Sequence, residues 1–562
     1  MSTWSLHTIY PTDTAFEEDV QKVRDLLAEP KEIKDAVLQV QEAGKTLKEL
    51  ESYVECLLAQ NPADQDAHKK NGAIAELLGN YEGALFSLGN RLAKMEEGAF
   101  QKLASELQEI DFYLREMRTL AKAKSSEEQE ELINALSVEG YHSFWSLYQS
   151  ITGKIKIGKD QLSIGQAYNL LSDPNREKRM EAFREWNEAW KESSDVLAQL
   201  LNSISGFRLK VYATRGWEDA LFEPLFLNRM QPATLDAMWK AIIDAKPQFL
   251  RYLQKKAEIL GVEKLSWVDV EAPIGKQEEV SWEQACETIL KRFEAFHPKM
   301  AAFARRALEN RWVESEDRPG KAAGGFCVSF PKSCESRIFM TYMGTPINVA
   351  TLAHELGHAY HNECLKHLPY FHQQAQMNVA ETASTFGEMI VIYQSIQEAK
   401  NDQEKMVLID DKLQRSVAYF MNLHARLVFE KAFYAERKKG FVSAEKLCEL
   451  MVRAQKEAYC DVLADWDPYF WASKLHFYYT HFPFYNFPYT FGYLLSNGLY
   501  AHSKEGDFGE KFDAFLEDTA QMKVEDLAQK HLGVDLTKPD FWQGSLSVLA
   551  EDIEAFLNAG WS

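Results

Sequence analysis

Residues 351–361 read Thr351-Leu352-Ala353-His354-Glu355-Leu356-Gly357-His358-Ala359-Tyr360-His361, a stretch that contains HExxH as His354, Glu355 and His358. On a helix, positions four apart differ by about 40° around the axis, so both imidazoles reach one metal ion from the same face. Glu355 borders that face and is placed to take a proton from a water that the ion acidifies. A random chain with 14 histidines and, as an upper bound, 84 acids in 562 residues would hold about 0.05 such motifs. A structural histidine pair is the more serious alternative. Against it stands the context: glycines at 320, 324 and 325 after Arg318-Pro319, then a strand predicted over Arg337-Ile338-Phe339-Met340-Thr341-Tyr342, then an apolar helix from about Asn348. That order is what a zincin needs.

Hydrolytic zinc usually has three protein ligands and one open position. A metzincin would carry glycine at 361 and histidine at 364, but this chain has His361 and Cys364. The third ligand is sought downstream, where a helical stretch from Asn378 to Glu388 carries Glu381, 23 residues after His358. Glu388 falls seven residues further on, on roughly the same face. It reads either as a group supporting a ligand or, the favoured reading, as a solvated surface acid.

The composition is that of a globular protein, 46% hydrophobic and 26% charged. A formal charge of −21 disfavours nucleic acid and anionic lipid as partners. The seven cysteines are scattered without a CxxC pair, which suggests reduced thiols and a cytoplasmic setting. No export signal and no membrane span is read. The spacing of Thr14-Ala15-Phe16-Glu17 predicts a helix start, and the proline-free segment from Ala63 to Asp173 reads as packed helical hairpins. Lys154-Ile155-Lys156-Ile157 alternates like a strand, and Pro174 suits the first turn of a following helix. The expected fold is mainly α with one small sheet beside the active-site helix.

The stretch Gly344-Thr345 through His354-Glu355-Leu356-Gly357-His358, followed by Glu381-Thr382-Ala383-Ser384, resembles the oligoendopeptidase F and thimet oligopeptidase family of zinc metallopeptidases. Trp4-Ser5-Leu6 with Ile9-Tyr10-Pro11 is similar to that family's opening, and Gly533, Asp535, Pro539, Phe541 and Trp542 to its close. The resemblance implies a two-lobed helical shell around a deep substrate channel, with an N-terminal helical lobe over 1–195 and a catalytic zincin domain over 196–562. It implies one zinc ion on His354, His358 and Glu381, Glu355 as general base, and short peptides as substrates. The strand Arg337 to Tyr342 then either pairs with an extended peptide by edge addition or is ordinary core, with Phe339 and Gly325 among the expected substrate contacts.

Residues 470–493 hold 12 aromatics in 24 positions, where the average composition gives about three. Packing is the default reading. His481 and the run from Pro488 to Leu494 resemble the family's substrate-binding histidine and tyrosines. A helix beginning at Pro488 would put Tyr489 and Tyr493 on one face. Tyr493 is the first candidate to support an oxyanion and His481 the second; Tyr485 and Tyr489 are further substrate contacts, and His476 is read as structural. The rivals are an exopeptidase, whose charged pocket for a free terminus the sequence does not locate, and a silent peptide-binding scaffold, against which the intact motif argues. Whether the chain is a monomer or a homo-oligomer is not set by the sequence.

Overall fold

The computed structural model describes residues 3–28, 32–275, 279–318, 320–322, 324–504, 506 and 508–559. The chain is mainly α-helical and groups into two compact units, each assembled from three separate segments. The first comprises Met1–Lys124, Glu278–Gln394 and His502–Gly533; the second comprises Ser125–Gln277, Ser395–Ala501 and Val534–Ser562. The expected division at 195/196 falls inside a single 40-residue helix, Arg176–Arg215. Residues on both sides of that cut, from Ser125 to Gln277, belong to the second unit.

Among the described residues one sheet is present, in the first unit, with strands β1 (Val313–Glu314), β2 (Phe326–Phe330) and β3 (Glu335–Phe339) in the order β1-β3-β2. β3 pairs in parallel with β1, Val313 opposite Ile338, and antiparallel with β2, Cys327 opposite Ile338. The predicted strand from Arg337 therefore exists, begins two residues earlier and is central. Both its edges are occupied, and Met340 and Tyr342 continue the pairing by donating to the carbonyls of Glu314 and Ser315. No peptide can add to it; that expectation gives way to core pairing.

Alternation along the strands separates the two faces of the sheet. Phe326, Val328, Phe330 and Phe339 join a core with Trp4, Phe16, Leu50 and Val54. Trp4 lies 5.7 Å from the Phe339 ring, and its backbone N–H donates to the buried Glu314. The opening segment is thus a plug against the sheet. Cys327 and Ser336 take the other face, where Asn362 of the motif helix donates to Ser336 Oγ at 3.2 Å. Phe339 is accordingly a core residue, wholly buried, and its side chain is not a substrate contact.

Other local expectations shift by a turn or less. The first helix is Asp13–Leu26, capped by Thr12 rather than Thr14. In the proline-free segment Leu103, Ile110 and Leu114 are buried, while Leu107, Met117 and Leu120, at the same three- and four-residue spacing, are partly buried. Ile157 makes only an isolated bridge to Leu162 instead of a strand. The long helix is capped by Asn175, so Pro174 precedes its first turn. Pro319 lies outside the described residues.

Candidate metal centre

The motif helix spans Pro346–Leu365. Pro346 opens it, and Thr345 and Asn348 exchange side-chain to backbone hydrogen bonds in a capping box, which holds the first turn where HExxH begins two turns later. The second helix, Met377–Gln397, carries Glu381 and Glu388. Both belong to the first unit up to Gln394.

The two helices cross at backbone contact, and glycine on each side permits it. A Cβ at Gly357 would sit 2.5 Å from the Ala383 carbonyl oxygen and 2.7 Å from Ser384 Cα; one at Gly387 would sit 2.9 Å from the Ala353 carbonyl oxygen. This reciprocal approach brings Glu381 beside the histidines. Glu381 Oε2 lies 3.5 Å from His354 Nε2 and 3.8 Å from His358 Nε2. Among the described residues His354, His358 and Glu381 are the group whose ligand atoms converge, all within 4.8 Å of one another. Tetrahedral zinc at about 2.0–2.1 Å from each ligand would space its ligands about 3.3 Å apart. Two nitrogens and one carboxylate oxygen at these separations fit a divalent metal.

Glu388 corrects the surface reading. Its Oε1 lies 2.5 Å from His354 Nδ1, which orients the ring so that Nε2 turns to Glu381. Ser384 Oγ donates to Glu381 Oε2 at 3.2 Å. Glu355 is 5% exposed, and its Oε2 is buried without a hydrogen-bond partner. Such an orphan carboxylate oxygen costs stability unless something else uses it. Burial lifts the Glu355 carboxyl to about 7, against the pull of His354. At His354 burial disfavours the cation, but Glu388, joined by Glu355 and Glu381, pushes the imidazole up to about 9. His358 is held well below its ordinary value by burial and by His354. Burial raises Glu381, countered by His354 and Ser384.

Gly325 keeps a place at the site: a Cβ there would meet Glu355 Oε1 at 3.5 Å and the Phe339 carbonyl at 3.3 Å. The remaining expected contacts all lie in the second unit. The helix there is Phe487–Ser503, with Pro488 in its first turn. Tyr493 is 5% exposed, stacks on Tyr419 at 4.2 Å, and places Oη 2.8 Å from Ser416 Oγ. His481 is exposed and stacks on His142 at 4.6 Å. The structure instead groups Tyr485 and Tyr489 with His476, whose ring lies 5.5 and 6.1 Å from theirs and whose Nδ1 is buried without a partner. His476, read from the sequence as structural, stands within this aromatic cluster. The signal available was its position nine residues before Tyr485 in a segment already dense in aromatics.

A converged His-His-Glu set on two crossing helices, with a buried glutamate beside it, has the parts of a metallopeptidase. A model of peptidase family M3 matches residues 169–548, and a model described as oligopeptidase F matches 91–156. The chain belongs to peptidase family M3 and is a metalloendopeptidase. Oligopeptidase PepF of Bacillus subtilis is 23% identical over 98% of this chain and 86% of its own length. An oligoendopeptidase F homolog of Borreliella burgdorferi is 24% identical over 92% of this chain and 89% of its own length. In fold, the chain is similar to a putative peptidase from Chlamydophila abortus, with a TM-score of 0.84 at 17% identity over 99% and 98% of the two chains. It is likewise similar to oligoendopeptidase-F from Enterococcus faecium, with a TM-score of 0.71 at 17% identity over 97% and 98%. No helix among the described residues is long and apolar enough to cross a membrane, and all seven cysteines are free.

Proposed function

We propose that this peptidase is a zinc endopeptidase that hydrolyses internal bonds of short oligopeptides, with Glu355 as general base. The observation that carries this reading is the unpartnered, buried Oε2 of Glu355 beside the converged His354, His358 and Glu381. When bound, zinc supplies Lewis acidity that lowers the pKa of a water and polarises the scissile carbonyl.

Glu355 takes one proton from the attacking water on a carboxylate oxygen as the water oxygen bonds to the carbonyl carbon. It returns that proton to the amine nitrogen as the C–N bond breaks, so no covalent enzyme intermediate is formed. Glu388 holds the His354 ring through Nδ1, and Ser384 restrains Glu381. Oxyanion support is assigned to the aromatic segment. Within it Tyr493 is the first candidate and His481 the second, as the resemblance implies, with Tyr485 and Tyr489 as further substrate contacts. Free thiols support a cytoplasmic location.

Glu355→Gln is expected to retain zinc and lose most activity; variant turnover equal to the parent's would eliminate this mechanism. Mass spectrometry of a mixture of end-blocked peptides about 5 to 30 residues long tests the endopeptidase assignment. Internal cuts confined to the shorter peptides are expected, whereas cuts only in unblocked peptides would point to an exopeptidase.

A further inference from the structure

The second unit contains a cavity of about 300 Å³ whose walls include Tyr168, Trp186, Trp267, Tyr489, Arg426 and Lys474. Aromatic rings are prominent in its walls, which also carry two cations and two acids, Glu271 and Asp467. The Lys474 ammonium stands over the rings of Tyr168 at 5.0 Å and Phe470 at 4.9 Å. Arg426 stands over the same Phe470 ring at 5.2 Å. Arg426 donates through Nε to Asn422 Oδ1 at 2.9 Å and through Nη1 to Asn486 Oδ1 at 3.0 Å. Both acceptors are neutral amides. Among the described residues neither cation forms an ion pair, and Lys474 has no hydrogen-bond acceptor. Glu271 and Asp467 are near enough to act on Lys474 but do not reach it.

The two cations share one ring without a direct ion pair, and Glu271 and Asp467, which line the same cavity, act on them only at a distance. Burial and the charge of Arg426 push Lys474 down to about 8, and burial pushes Arg426 down to about 10. An anion placed between them would relieve both. The volume suits one or two amino-acid residues, and the aromatic walls suit an apolar body. Glu271 and Asp467 offset part of the positive charge, which favours a monoanion over a phosphate dianion.

We propose that this cavity binds the carboxylate of a short peptide or amino-acid derivative, with Lys474 and Arg426 on the carboxylate and the aromatic walls on the side chain next to it. Two sources share that chemistry: the C-terminus of a peptide substrate, or a free carboxylate such as a cleaved product. Only the first rests on the endopeptidase reading; the site itself does not.

The binding test is calorimetric and needs no turnover. N-acetyl-phenylalanine is titrated into the protein beside N-acetyl-phenylalanine amide, which differs only in lacking the charge. The acid is expected to bind roughly tenfold or more tightly, as a charge-assisted contact requires. Lys474→Met, which keeps an apolar stem between the rings, should erase that preference, and Lys474→Arg should restore it. Equal binding of acid and amide by the parent protein, or a preference that survives in Lys474→Met, overturns the proposal. A second arm compares kcat/KM for N-acetylated hexapeptides ending in a free acid or an amide. A free-acid advantage that disappears in Lys474→Met identifies the peptide terminus as the ligand. Equal cleavage of both, with acid-selective binding intact, identifies the free carboxylate. If neither peptide is cut, the endopeptidase reading fails while the binding result stands.

Discussion

Gly357→Ala adds one methyl at the crossing of the two metal-bearing helices. The new Cβ would lie 2.5 Å from the Ala383 carbonyl oxygen, and ordinary contact begins near 3.4 Å, so 3.4 − 2.5 = 0.9 Å must be found. The obstacle is backbone, which cannot swing aside as a flexible side chain does. The helices must therefore part or slide by most of that distance. Overpacking of this kind costs about 1–3 kcal/mol, against about 0.5–1 kcal/mol gained from alanine's helix preference. The larger effect falls on the metal. Glu381 Oε2 already stands 3.5 and 3.8 Å from the two histidine nitrogens, and a site loses function when displaced by more than about 0.5 Å. We expect zinc affinity to fall at least tenfold, with a smaller loss for Gly387→Ala, whose Cβ needs only 3.4 − 2.9 = 0.5 Å. The assay is competition against a chromophoric chelator, with metal content measured after dialysis and folding followed by circular dichroism. Gly544→Ala is the control: it lies in the helix Pro539–Asn558 with nothing within 4 Å of the added carbon, and it should be neutral or slightly stabilising. A folded Gly357→Ala that binds zinc and turns over peptide as the parent does would refute the reasoning.

Glu388→Gln removes the charged partner of His354 Nδ1 and should weaken zinc binding about 10- to 100-fold, read in the same competition assay. Chelation should abolish turnover and lower the melting temperature, since the metal binds only the folded chain; added zinc should restore both. Glu430, buried in the second unit with its carboxyl raised to about 8 by burial, retains its proton in the folded state where the unfolded chain has lost it. Its contribution to stability therefore declines as pH rises from about 4.5 toward 8. Urea midpoints at pH 5 and pH 8 should differ less in Glu430→Gln than in the parent, and an unchanged difference would exclude Glu430 as the source.

Legibility tracked sequence separation. His354, Glu355 and His358 were readable because helix geometry converts a spacing of four into one face, and the Thr345–Asn348 cap is equally local. Glu381 was reachable as a carboxylate on a downstream helix, but 23 residues of intervening chain left its position open until the crossing of the two helices brought it to the histidines. Glu388 was seen but misjudged: an acid on a helix looks the same from the sequence whether it meets water or an imidazole 34 positions away.

The chain's own order of residues determined that two imidazoles and a carboxylate share a helix, that the fold is mainly α, and that residues 470–493 are unusually aromatic. Tertiary structure decided which strand is central, so that β3 was closed to peptide and Phe339 became core. It also decided that His476 rather than His481 stands with Tyr485 and Tyr489, and that Lys474 and Arg426 share one ring. The physical reason is common to all of these. Local periodicity states which face of an element a side chain occupies, but what meets that face depends on packing between segments far apart in the chain. At the metal centre that packing rests on two missing methyl groups, at Gly357 and Gly387.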